Sequence, residues 1–446
     1  MPTTTAAASS TTPCALPPAA PATARAVFRL LERLKVGTLD VRLPDGTQTR
    51  FAGSDSAEPR AAIRLHDWRV CGAALKSGDI GFAEAFIDGR WTSPDLTALL
   101  KLFIANREAI DAVVYGSWWG SLLHRLRHLL NRNSRPGSRK NIHAHYDIGN
   151  PFYRLWLDET MNYSSALFEG DFTQPMVAAQ HAKMRRALRE CGVQPGQRLL
   201  EIGCGWGALA ECAAGEFGAE VTGVTLSTEQ LAFAQRRIAD AGLAHKAQLR
   251  LQDYRDIGDI DDEPFDALVS IEMFEAVGHA YWDNFFATLN ARLKPGGRAC
   301  IQTITIRDDL FERYLRSTDF IQQYIFPGGL LPSPSAFRAQ AEKGGLAVIN
   351  ACAFGPDYAE TLRRWRADFL AHQAQVLGLG FDARFLRIWE FYLGYCEAAF
   401  DSGTTSVMQF TLMRPPSSLA LATPQGGRPP TARQSRVRGG KRGLGG

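Results

Sequence analysis

The chain predicts an α/β protein in which a doubly wound parallel sheet follows a small α+β N-terminal domain. Three observations lead there. From Arg198 to Ile306, short apolar runs alternate with helical-period segments, the pattern of strands joined by crossover helices. Residues Leu199 to Ala210, LLEIGCGWGALA, read as a buried strand, a turn with Gly203, Gly205 and Gly207 at every second position, and a helix start. Upstream, Gly37 to Gly46 alternates as a strand should and ends in an Asp-Gly turn.

Residues 1–23 are rich in Ala, Thr and Pro and read as a disordered tail. The N-terminal domain spans 24–116: a helix-like stretch from about Ala24 through Leu34, the strand at Gly37, a continuation through Gly78 to Trp91, and a helix from about Leu96 to Ala105. Residues 117–142 form a basic amphipathic segment in which Trp118, Trp119, Leu122, Leu126 and Leu129 recur at helical spacing among Arg125, Arg127 and Arg132. Such a helix either lies on an anionic bilayer or packs on the core with its arginines in water. The main domain covers 143–413. Its strands are expected at Arg198–Ile202, Glu220–Thr225, Ala247–Leu251, Phe265–Ile271 and Arg298–Ile306, the last after the turn Pro295-Gly296-Gly297. Helices are expected near Ala208–Phe217, Ser227–Ala241 and Tyr281–Leu293, and later at Thr361–Gly378 and Phe385–Phe400, with a last strand at Ser406–Met413. Ligands of such sheets sit beyond the carboxyl ends of the strands.

Composition narrows the function classes. With 45% apolar residues in 446, the chain can bury real cores, yet it has no apolar run long enough to span a bilayer and no charged start leading into a leader-like core. The expectation is a cytoplasmic protein. The eight cysteines are scattered without a CxxC pair, which suits reduced, buried thiols, and no metal site is expected. The formal charge of +4 resides in the tail 414–446, which carries seven basic residues and no acid; no nucleic-acid partner is expected.

A dinucleotide fingerprint spaces its glycines G-x-G-x-x-G; here Gly203-x-Gly205-x-Gly207 behind Glu201 resembles the first motif of Rossmann-like class I S-adenosylmethionine-dependent methyltransferases. Together with HYDIGNPFYRLWLDETMNYSSALFE at 145–169, GVTLSTEQ at 223–230, LQDYRD at 251–256 and MFEAVGH at 273–279, it makes residues 143 to 410 resemble the cyclopropane fatty acid synthases, including the mycolic acid cyclopropane synthases, and the domain at 24–116 resembles the extra lipid-associated domain of the bacterial phospholipid enzymes. The resemblance implies S-adenosylmethionine as cofactor, with Tyr163 and Ser164 closing over it, Gly203, Gly205 and Gly207 at its methionine end, Thr225, Leu226 and Gln230 on the ribose side, and Asp253 and Tyr254 at the adenine. On their own, Asp253 and Tyr254 read equally as a turn residue and a core aromatic.

The implied reaction is attack of an alkene on the sulfonium methyl, giving a carbocation that must lose a proton before water reaches it. It calls for a dry, aromatic pocket, with Tyr146, Phe152, Tyr163, Phe168, Phe274, Tyr324, Phe326 and Tyr395 as candidates. The family's base is a bound bicarbonate, which Glu275, Tyr358 and backbone amides would hold. Three positions depart from the family pattern: Gln302 stands in place of a histidine, Ser165 in place of a cysteine and Ala276 in place of a further histidine, with Ile304 on the same strand as Gln302. Gln302 and the Ser165 N–H can still donate to an anion, but neither carries charge. Glu272 is an alternative base. The expected product is a cyclopropane; methylene or methyl branching, or a non-catalytic lipid-binding relative, are the alternatives. The loop Tyr324–Pro332 is expected to meet acyl chains as a lid, and the late helices to cover the acyl tunnel. The expected partners are phospholipid acyl chains at the inner membrane face, and a homodimer is implied by the resemblance alone.

Overall fold

The computed structural model describes residues 16–110, 148–259 and 263–416. The amphipathic segment expected at 117–142, Tyr146, and the tail beyond residue 416 lie outside them.

The N-terminal unit opens with α1 (Ala22–Leu31), which turns Ala24, Val27, Phe28 and Leu31 inward at helical spacing. Strand β1 (Val36–Arg42) buries alternate residues Leu39 and Val41, and the expected Asp-Gly reversal, with Gly46 at φ +90°, hands it to antiparallel β2 (Gln48–Ala52). Strand β3 (Asp55–Leu65) runs parallel to β1 on its other side, and the short β4 (Trp91–Thr92) closes the order β2-β1-β3-β4. Between them α2 (Arg69–Ile87) bends at Gly78, whose φ/ψ of 59°/−134° no helix contains. The carboxylate of Asp95 caps α3 (Leu96–Ala105) by accepting from Ala98 N.

The larger sheet follows the short α4 (Asn150–Tyr153) and α5 (Met176–Glu190). Strands β5 (Arg198–Ile202), β6 (Glu220–Thr225), β7 (Ala247–Leu251) and β8 (Phe265–Ile271) have the predicted bounds, with α6 (Ala208–Gly215) and α7 (Thr228–Asp240) between them. After α8 (Trp282–Arg292), β9 (Leu293–Ile306) already contains the Pro-Gly-Gly segment expected to precede it. Helices α9 (Asp308–Tyr314), α10 (Phe320–Tyr324) and α11 (Pro334–Lys343) then lead to β10 (Ala347–Ala353). That strand is not legible in the sequence, because it is an edge strand whose exposure does not alternate. The helix expected at Thr361–Gly378 starts earlier, at a proline-containing first turn, and breaks at His372 into α12 (Gly355–Ala371) and α13 (Gln373–Gly378). Helix α14 (Ala383–Asp401) and β11 (Thr405–Met413) complete the fold.

The order is β10-β11-β9-β8-β5-β6-β7. Strands β9, β8, β5, β6 and β7 are mutually parallel, whereas β11 runs antiparallel to β9 and β10 antiparallel to β11, so the sheet is mixed. Helix α14 lies against α12 on one side and against α2 and α3 on the other, so one apolar core runs from the C-terminal helices into the N-terminal unit. Thr97 in α3 and Arg366 in α12 both donate to the buried carboxylate of Glu397, which keeps that charge compensated inside the junction. No described helix is long and apolar enough to cross a membrane.

Candidate functional site

Strand β5 delivers the chain to a turn in which Gly203, Gly205 and Gly207 have φ of +85°, +49° and +83°. The N–H groups of Gly203 and Cys204 donate to Val224 O, which ties the turn to the end of β6. A side chain would be strained at each position, and a Cβ on Gly203 would press on Met273 at 3.0 Å. A cavity of about 160 Å³ opens at these strand ends, lined by Tyr163, Ser164, Glu201, Gly203, Gly205, Thr225, Leu226, Gln230, Asp253 and Tyr254. Gly207 is the expected cofactor residue that does not line it. Its Cα backs onto α7, where a Cβ would come within 2.9 Å of Ala234, so its role is helix packing. Asp253 lines the cavity with its carboxylate paired to Arg255, so its charge is already compensated. Glu201 differs: it is 3% exposed, its Oε2 has no hydrogen-bond partner among the described residues, and burial pushes its pKa up to about 8. An orphaned acceptor beside a bare glycine turn fits a ligand that brings its own donor, and an amino-acid ammonium has that chemistry.

Past β8 the chain enters a second group of acids. Glu272 has a φ of +49°, uncommon without glycine, and its surroundings over-determine it. Its backbone N–H donates to Gln302 O. Its Oε1 accepts from Ser165 N at 2.9 Å and from Gln302 Nε2 at 2.8 Å, and its Oε2 accepts from the Tyr358 hydroxyl at 2.7 Å. Gln409 Nε2 in turn donates to Gln302 Oε1 at 3.0 Å and fixes the amide with its nitrogen toward Glu272. Burial raises the pKa of Glu272, while these donors and the charge of Lys183 oppose the rise. Glu275 accepts at Oε1 from Ile304 N and has no hydrogen-bond partner at Oε2 among the described residues. Burial first, then the negative charge of Glu272, push it up to about 8.

The side chains group differently from the expected arrangement around Glu275. Tyr358, Gln302 and the Ser165 amide do converge, but on Glu272, and Glu275 stands apart with Ile304. The donors that were to hold bicarbonate are spent on a carboxylate of the chain itself, and an anion brought there would face two buried acids. The residues present do not fit bicarbonate.

Lys183 is the functional candidate that sequence reading missed. Fully buried on α5, it donates to Ser164 Oγ at 2.6 Å, and desolvation lowers its pKa to about 8 against the pull of Glu272, Asp158 and Glu201. A lysine within an ordinary helical segment carries no signal of burial in the sequence.

A larger cavity, about 610 Å³ and mostly apolar, begins at Tyr163, Glu272, Glu275, Ala276, Ile304 and Tyr358 and extends away from the sheet. Tyr163, Glu272 and Ala276 line both cavities, so the two meet at Glu272. Of the expected aromatics, Tyr163, Phe326 and Tyr395 line the larger cavity. Phe152, Phe168, Phe274 and Tyr324 line neither; Phe152 is packed among Trp156, Phe385 and Trp389, and Phe274 among Phe285, Phe286 and Phe337. The expected lid loop supplies Phe326, Pro327, Gly329, Leu330 and Leu331 to the wall, and Leu330 N donates to Glu275 O.

These buried acids make stability pH-dependent. Glu201 and Glu275 titrate near 4.5 when exposed and at about 8 when folded, so between those values the folded chain binds more protons than the unfolded one. Stability then falls as pH rises through this window. Thermal melts of the ligand-free protein are expected to lose several degrees from pH 5 to pH 8, and Glu275→Gln should flatten the slope. A slope unchanged by that substitution would contradict the assignment.

The model of the mycolic acid cyclopropane synthetase family matches residues 133–410. The chain is 40% identical over 410 residues to the tuberculostearic acid methyltransferase of Mycobacterium tuberculosis, covering 89% of this chain and 93% of the relative. It is 32% identical over 383 residues to the cyclopropane-fatty-acyl-phospholipid synthase of Escherichia coli, covering 84% and 96%. The crystal structure of mycolic acid cyclopropane synthase CmaA1 complexed with SAH and CTAB superposes with a TM-score of 0.57 at 34% identity, covering 62% of this chain and 98% of that one. The chain therefore belongs to the mycolic acid cyclopropane synthetase family, S-adenosylmethionine-dependent methyltransferases that modify fatty acids.

Proposed function

We propose that this enzyme methylates the double bond of an unsaturated acyl chain of a membrane phospholipid, that the carboxylate of Glu272 takes the departing proton, and that the product carries a methylene branch. S-adenosylmethionine, when bound, supplies an electrophilic methyl group. The residues lining the smaller cavity would hold it: Glu201 Oε2 would accept from its ammonium, Gly203 and Gly205 would leave room for its methionine portion, Gln230 and Thr225 would face its ribose, and Asp253 and Tyr254 would border its adenine. The acyl chain occupies the larger cavity with its alkene at the junction. Tyr163 and Phe326 present aromatic faces that stabilise a cation and exclude water. A hydride shift from the methylated carbon to its neighbour moves the positive charge onto the methylated carbon. Glu272 then removes a proton from the added methyl, and that C–H pair becomes the new double bond.

The arrangement of Glu272 carries this reading. Burial raises its pKa, donors on both oxygens and the charge of Lys183 oppose that rise and favour the carboxylate, it lies where the cavities meet, and a positioned base contributes about 10² to 10⁴ in rate. Ring closure needs the same proton removed without the hydride shift, and the resemblance to the E. coli synthase favours that second reading. Methylene branching is preferred because the more similar relative is a tuberculostearic acid methyltransferase.

The experiment is expression in a host without such an enzyme, followed by mass spectrometry and proton NMR of its phospholipid acyl chains. A gain of one CH₂ with vinylidene protons is the expected result. The same gain with upfield ring protons would establish the cyclopropane instead, and no gain from folded protein would overturn both.

A further inference from the structure

The larger cavity does not end in the methyltransferase unit. From the junction at Glu272 it passes Tyr392 and Phe391 of α14 and continues into the N-terminal unit, against Leu39 and Val41 of β1, Ile63 and Leu65 of β3, Val27 of α1 and Ala74 of α2. All six of these are buried, so this end is closed. Lining residues exposed to solvent cluster elsewhere: Arg313 and Arg316 are exposed and Arg107 is half-buried, marking an open, basic rim at the ends of α9 and α3. Asp79 lines the cavity beside this wall, and its carboxylate accepts from Phe320 N and the Tyr395 hydroxyl, while the six wall residues themselves are apolar. The family model begins at residue 133, but the relatives of M. tuberculosis and E. coli, at 89% and 84% of this chain, extend into the N-terminal unit.

We propose that the N-terminal unit is the closed end of the acyl site: the methyl-terminal segment of the chain is buried against β1, β3, α1 and α2, and the depth of that wall selects which acyl chains place their double bond at Glu272. The proposal rests on the acyl-chain reading above. A cavity of about 610 Å³ is in the range that buries most of a flexible ligand. Each methylene that finds room strengthens binding by about fourfold, and the first that does not forfeits this gain.

The test is equilibrium binding to the full chain, followed by tryptophan fluorescence. The probes are free cis-monounsaturated fatty acids with a fixed carboxyl-to-alkene distance and a methyl-terminal segment lengthened one methylene at a time. Affinity of the unmodified protein should climb about fourfold per methylene to a limit and then stop rising. Ala74→Phe places a ring inside the closed end and should lower that limit by two or more methylenes; Val27→Ala should raise it by about one. SAH affinity should be unchanged in both and reports folding. If either variant binds SAH normally and keeps the original limit, the proposal is overturned, and so it is if the unmodified protein shows no limit or binds no fatty acid. Because binding is read without turnover, chains that bind with this limit but are never methylated count against the proposed reaction and leave the wall assignment standing.

Discussion

Glu272→Gln is expected to lower kcat by about 10² to 10⁴, the contribution of a positioned general base, while SAH affinity stays within a few-fold of the unmodified enzyme. The amide keeps the shape of the side chain and an acceptor for Ser165 N, and it loses the group that takes the proton. Tyr358 can rotate its hydroxyl to accept from the new amide, so the site should not collapse. The contrast with Glu275→Gln makes the experiment decisive. Glu275 is pushed up to about 8 and is therefore largely neutral at pH 7. A glutamine there preserves both the charge state and the acceptor for Ile304 N, and activity should remain within about tenfold, below the effect of losing a base. Single-turnover kinetics on the two variants checks this. If Glu275→Gln is the crippled one, the base is Glu275 and the role given to Glu272 is wrong.

The reversal of these two glutamates shows where sequence reading stops. The glycine turn, four strands of the larger sheet and all ten cofactor-pocket positions besides Gly207 could be read because each depends on local pattern: apolar runs, turn glycines, or a motif of fixed spacing. Glu272 and Glu275 are three residues apart in one motif, and nothing local says which faces Tyr358, a residue 86 positions away. That choice is made by the left-handed backbone at Glu272 and by Gln409, which orients Gln302 from β11 across the sheet. Gln302 therefore makes sense where it stands. A charged histidine would be suited to holding a mobile anion, whereas a neutral amide suits a carboxylate that is part of the chain. Strand β3 and the depth of the large cavity were equally hidden, since they depend on which elements pack together.

Lys183→Met is expected to lower turnover at neutral pH by about tenfold or more and to restore much of it at higher pH, because an ammonium near a carboxylate favours the ionised form. Lys183 is the positive charge that acts on Glu272 in a site where burial otherwise favours the protonated acid. Removing it raises the pKa of Glu272 further, so at a given pH less of the base is ionised. The sign follows directly: the acid limb of the kcat profile moves upward in pH, and raising the pH recovers the carboxylate. Glu272→Gln has no such recovery, which separates a residue that tunes the base from the base itself. Loss of the Lys183 hydrogen bond to Ser164 also frees the segment over the smaller cavity, so SAH affinity should weaken as well. That second effect would appear at every pH. A Lys183→Met enzyme whose kcat profile keeps its original midpoint would show that Lys183 serves the fold alone, and that the ionisation of Glu272 rests on its three hydrogen-bond donors.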